Sequence, residues 1–166
     1  RIGIHTFHSF CNMVIQENLD VFGFRNLEPI DELEQITVLH GIIDDLPKNH
    51  PLKRYTGEEY FEAGRMKALF ETMKREDWTA EYLIEKVEAY EKDLPSRDEY
   101  EYKRAGTRKD GTKYKKGDLN EDKLNAELGK MELLKAAALL LKEYDSRLAE
   151  LKRYDFSDMI LWVIHA

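Results

Sequence analysis

Seven cations fall between Lys103 and Gly117: Lys103, Arg104, Arg108, Lys109, Lys113, Lys115 and Lys116, with Asp110 the one acid among them. A segment so charged releases counterions when it meets a polyanion, which drives attachment to phosphates regardless of sequence. Tyr100, Tyr102 and Tyr114 are interleaved with these cations, and their rings could stack on exposed bases. The competing reading is a solvated loop, or one lying on the acidic helix predicted over Thr79–Leu94, with the tyrosines as cross-strand partners.

Other residue types invite chemistry less well. His5, His8 and Cys11 are spaced by three, as soft metal ligands on a helix would be. However, His5 falls in a predicted strand and no fourth ligand is near, so a metal centre or a small metal-dependent hydrolase is the weaker reading. His8-Ser9 has the types of a base and a nucleophile, without an oxyanion motif or an orienting acid. Asp155 and Asp158 could act as paired carboxylates. They are better placed to start a helix, Asp155 as the cap and Asp158 in the first turn, where the dipole favours an acid. No GxxxxGK[ST] loop is present: Gly129-Lys130 is followed by Met131, with no glycine at the required distance before it.

The elements that must position these residues are helices. Phe7–Val21 reads as one, with Phe10, Val14, Ile15 and Leu19 on a face and Gly23 as its stop. Pro29 suits the first turn of a second helix, through Leu46, with Leu33, Ile36, Leu39, Ile42 and Ile43 inward. Thr56 and Glu59 have capping-box spacing and open a third, to about Arg75. Thr79 caps a fourth, which Pro95 ends. From Leu119 to Ala166, apolar residues at Leu124, Leu128, Met131, Leu134, Ala138, Leu141, Tyr144, Leu148 and Leu151 recur at steps of three or four. They predict one long helix, roughly 50 Å in extent, bent near Arg153-Tyr154 and restarting at Phe156. Ile2–Thr6 is a short apolar run suited to a strand. Asp110-Gly111 is a two-residue hairpin signal. The predicted fold is mainly α: a single helical domain over 1–166, arrayed around one long C-terminal helix, with a short basic β-hairpin or loop.

Composition narrows the class. The 166 residues carry a net charge of −7. The basic segment holds +6 of this, so the remainder is −13. That balance argues against a protein gripping nucleic acid over its whole surface. Cys11 is the one cysteine, which precludes an internal disulfide and fits a reducing, cytoplasmic setting. No apolar run approaches the roughly 18 residues of a membrane span. The chain begins at Arg1, which suggests excision from a longer one.

Two stretches together resemble a known family. His5-Thr6-Phe7-His8-Ser9-Phe10-Cys11 looks like the TxHSF motif of UvrD/Rep-like superfamily 1 DNA helicases. Tyr154-Asp155-Phe156-Ser157-Asp158-Met159-Ile160 resembles their (V/Y)DF(D/S)D(L/M)(L/I) motif. In that family the two motifs flank a helical insertion, subdomain 1B, set on the first RecA-like motor domain. The resemblance implies a DNA-contacting accessory domain of an ATP-dependent helicase, acting in repair or replication restart. It implies single-stranded DNA or a single-strand/duplex junction as partner, contacted by Thr6, His8 and Ser9 and by the basic segment. Residues 1–6 and 155–166 would be edges of the adjoining motor domain. ATP and Mg would serve the parent protein, with the Walker A loop before Arg1 and the acidic box after Ala166, so this segment would hold no cofactor. Severed from the motor, the apolar ends are expected to self-associate. The alternative is a helical protein-interaction scaffold that does not bind DNA.

Overall fold

The computed structural model describes residues 5–22, 27–53 and 57–166. Residues 2–4 of the predicted Ile2–Thr6 strand, the Gly23 stop and the Thr56 cap lie outside them, His5 and Thr6 are not in a strand, and the helix expected to open at Thr56 begins at Ala63. In chain order the elements are α1 (Phe7–Glu17), α2 (Leu19–Phe22), β1 (Glu28–Pro29), α3 (Glu32–Asp45), α4 (Ala63–Arg75), α5 (Ala80–Asp93), β2 (Gly106–Thr107), β3 (Lys113–Tyr114), α6 (Glu121–Ala138), α7 (Leu141–Glu150), β4 (Arg153–Tyr154) and α8 (Phe156–His165). The chain is mainly α, as its periodicity predicts. By packing it forms two compact units, Arg1–Thr79 with Ala137–Ala166, and Ala80–Ala136.

In the first unit α3 packs on α4 and α7, α4 on α8, and α8 on α1. Leu39, Ile42, Ile43, Met66, Phe70, Met73, Tyr144 and Leu148 are almost fully buried. Each such side chain contributes about 1.5–3 kcal/mol relative to exposure. Leu33, predicted inward, is 75% exposed in the first turn of α3. The second unit has its own small core of Leu94, Tyr100 and Leu124, flanked by Tyr90, Leu119 and Leu128.

Pro29 does not start α3, contrary to its predicted place in a first turn. It sits in β1, which runs parallel to β4, opposite Tyr154. The ladder uses the N–H of Glu28 to the carbonyl of Lys152 (3.1 Å) and of Ile30 to that of Tyr154 (2.8 Å). The intervening residue faces away from the partner strand, so a proline loses nothing there. Asp31 caps α3 instead, in a reciprocal capping box with Glu34. Arg153 fastens the pair of strands, bonding Glu34 (3.1 Å) and Glu28 (2.9 Å).

The long C-terminal helix is also divided. α6 ends at Ala138, a turn at Leu139-Leu140 follows, and α7 resumes at Leu141. The nine apolar positions explain this. From Leu124 to Leu151 is 27 residues in eight steps. At 3.6 residues per turn that is about 7.5 turns, so a straight helix would put its two ends on opposite faces. Breaking the helix resets the face: Leu124 serves the core of the second unit, and Tyr144 and Leu148 that of the first. After α7, Lys152 takes a left-handed conformation (φ 56°) and drops the chain into β4, so the predicted bend near Arg153-Tyr154 is present.

Candidate nucleic-acid interface

Thr6, His8 and Ser9 come together at the start of α1. Thr6 is extended (φ −74°, ψ 162°), and its Oγ1 accepts the Ser9 N–H at 3.2 Å, which makes it the helix cap. Ser9 Oγ donates to the Thr6 carbonyl at 3.2 Å and lies 3.4 Å from His5 Nδ1. The His8 ring meets Phe156 edge-on, centroids 5.0 Å apart and planes at 72°. All three residues are exposed. The Thr6 hydroxyl is only an acceptor in its capping bond, so its proton is available to an incoming oxygen.

The basic segment forms an antiparallel hairpin in the second unit, with Gly106 opposite Tyr114 and Thr107 opposite Lys113. Its loop differs from a two-residue turn. Gly111 N–H bonds the Arg108 carbonyl (3.0 Å), Gly111 is left-handed (φ 89°), and Arg108 N–H then bonds the Thr112 carbonyl (2.8 Å). This is a three-residue loop, a type I turn closed by a glycine. Asp110 accepts the Thr112 N–H of its own loop at 2.9 Å.

The seven cations divide. Arg108 Nη1 donates to Glu121 Oε2 at 3.0 Å, and Lys103 Nζ donates to the Asp98 carbonyl. Arg104, Lys109, Lys113, Lys115 and Lys116 are exposed, and among the described residues their charged groups meet no carboxylate within ion-pair distance. The tyrosines are not free. Tyr100 is 4% exposed, in the core with Leu94 and Leu124. Tyr102 and Tyr114 stack on each other, centroids 3.7 Å apart and planes at 16°. Their cross-strand role is the one observed.

The second motif starts α8. Asp155 caps it, accepting the Asp158 N–H at 3.0 Å, while Asp158 accepts the Asp155 N–H at 2.9 Å. Both carboxylates also converge on a third residue. Lys74 Nζ, its side chain 4% exposed, lies 2.8 Å from Asp155, 2.6 Å from Asp158 and 2.7 Å from Asp145. The ammonium also lies 5.1 Å from the centroid of the Tyr144 ring, whose hydroxyl accepts from Gln35 Nε2 at 2.7 Å. Burial works against the Lys74 charge, but Asp155, Asp158 and Asp145 outweigh it and hold its pKa above the ordinary lysine value. Burial raises Asp158 and Asp145 despite the neighbouring ammonium.

Over residues 1–166 the chain matches the family model of the UvrD/REP helicase N-terminal domain. The chain belongs to that family. No curated protein and no solved structure gives a significant match.

UvrD-type helicases use ATP and magnesium. The described part of this UvrD/REP helicase N-terminal domain does not fit that group. The sequence has no GxxxxGK[ST] loop, and the Asp145–Asp155–Asp158 cluster is filled by an ammonium that a divalent ion would have to displace. No step through a nucleotide is therefore assigned to these residues. Among the described residues no three His, Cys, Asp or Glu side chains are grouped as metal ligands, and Cys11 is buried while His5 and His8 are exposed. Among the described residues no helix is long and apolar enough to cross a membrane.

Lys74 was not apparent from motif reading, though a signal exists. Met66, Phe70 and Lys74 follow one another at four-residue steps, so the lysine occupies a core position of α4. A cation in an apolar column requires acids facing it.

Proposed function

We propose that this domain is the DNA-contacting accessory part of an ATP-dependent helicase, acting on single strands or at a single-strand/duplex junction. The observation that carries this reading is the hairpin with its five exposed cations, on a chain whose remaining charge is strongly negative. Such a distribution concentrates polyanion binding at one place and repels it elsewhere. Thr6, His8 and Ser9, at an exposed helix start, supply small polar groups suited to backbone oxygens. Residues 1–6 and 155–166 are edges of an adjoining motor domain, in which ATP and Mg do the work. The setting is cytoplasmic, in DNA repair or replication restart.

The test is a salt titration of binding to a labelled single strand. Engagement of three to five phosphates gives a log–log slope of about −2 to −4. Lys113→Gln, Lys115→Gln and Lys116→Gln together should flatten it by about 2. An unchanged slope removes the hairpin from the function. No binding at low salt, with a protein partner recovered from nuclease-treated extract, would favour the interaction-scaffold reading.

A further inference from the structure

We infer that the hairpin grips the sugar-phosphate backbone alone, through Lys109, Lys113, Lys115 and Lys116, and takes no base. This rests on the nucleic-acid reading above and names what that site recognises.

The aromatic rings are the first argument. A base needs an open ring face on which to stack. Tyr100 is in the core, and Tyr102 and Tyr114 spend a face of each ring on one another. The Arg108 guanidinium lies 5.8 Å from the Tyr102 centroid while it pairs with Glu121. Across the strands the far end of Tyr114 covers Gly106 so closely that a Cβ there would stand 2.5 Å from its hydroxyl oxygen. Ring, guanidinium and bare glycine form one frame, and the frame holds the hairpin together.

The second argument is direction. Lys113 and Tyr114 are consecutive on β3, so their side chains leave opposite faces. Lys113 therefore points away from the tyrosine stack. Lys109 sits in the loop, where Asp110 is turned to its own backbone instead of the lysine. Asp118 likewise spends Oδ2 on the Lys115 N–H at 2.7 Å. The nearby acids serve the turns, and among the described residues the four ammonium groups meet no carboxylate within ion-pair distance. What the hairpin offers a strand is a set of exposed cations, while Tyr102 and Tyr114 are half-buried and committed to each other and Arg108 is paired with Glu121. Its hold should persist where bases are missing.

The experiment uses the whole chain and two labelled oligonucleotides of equal length, one of mixed sequence and one made entirely of abasic sites. Each is titrated by fluorescence anisotropy at several salt concentrations. The reference is the variant carrying Lys109→Gln, Lys113→Gln, Lys115→Gln and Lys116→Gln. Comparing it with the unaltered chain isolates the hairpin's share from any base contact made elsewhere. The expected result is the same loss of affinity on both strands, within twofold, and a salt slope shallower by about 3 on each. A loss on the mixed strand more than tenfold greater than on the abasic one would overturn the inference and leave DNA binding intact. If the unaltered chain bound neither strand, the nucleic-acid reading itself would fall.

Discussion

Lys74 Nζ lies 2.8 Å from Asp155 Oδ2, joining residues 81 apart in sequence. The bond ties the last turn of α4 to the cap of α8. Asp155 thus serves two functions, accepting a backbone N–H to start a helix and neutralising a cation that the core would otherwise reject.

Removing that cation should be costly. Lys74→Met leaves Asp155 and Asp158 facing each other in a largely buried site. Breaking a buried pair from one side typically costs about 3–5 kcal/mol. Asp145 is half-exposed and will relax into solvent, so a value near 3 kcal/mol is expected. The check is the urea midpoint of Lys74→Met, Asp158→Asn and the double variant. The double should be less destabilised than the sum of the singles by about 1–3 kcal/mol. Strict additivity would show that the two charges act independently.

The cluster also sets a pH dependence. Lys74 has a raised pKa in the folded state, so its contribution is complete below the unfolded value near 10.4 and is lost as pH rises through the folded one. Asp158 and Asp145 are raised too, so in the folded chain they hold protons to higher pH than in the unfolded one. Their contribution to stability therefore falls as pH rises from about 3.9 through the raised values, opposite to an ordinary paired carboxylate. Unfolding midpoints measured across the acid and alkaline limbs should show both slopes. Lys74→Met should flatten the alkaline one, and Asp158→Asn should weaken the acid one.

Capping and charge at Asp155 can be separated. Asparagine caps a helix about as well as aspartate, whereas alanine does not, a difference of typically about 1 kcal/mol. Asp155→Asn loses only the charge facing Lys74. Asp155→Ala loses the cap as well and should be less stable by about that amount. Equal midpoints would mean that the capping bonds contribute nothing to the start of α8.

The packed helices α1 and α8 each carry exposed apolar residues. Phe7 is 79% exposed, Phe156 56% and Ile164 67%. A surface of this kind favours association. Light scattering is expected to show self-association that grows with protein concentration, and Phe7→Ser with Ile164→Ser should reduce it. A monomer at high concentration before substitution would contradict this.

Much of the site could be read in residue order because it is built from local rules. Asp155 caps over three residues, so its role follows from side-chain type alone, and Asp110-Gly111 marks the hairpin though not the length of its loop. The basic segment is likewise a matter of composition. Residue order does not specify what depends on a partner distant in the chain. Pro29 satisfies first-turn chemistry and strand-edge chemistry equally, and only the arrival of β4 beside it decides between them. The stretch from Leu124 to Leu151 satisfies the helical step everywhere and still cannot face one core, because small phase errors accumulate over 27 residues.

The sequence by itself determined a mainly helical chain, its two motifs, the Asp155 cap at the second of them and the place where positive charge collects. Only the tertiary structure decided which tyrosines are available and what Lys74 does. The reason is physical. Capping and counterion release depend on neighbours along the chain, while stacking faces and the cost of a buried charge depend on groups brought together from far apart in it.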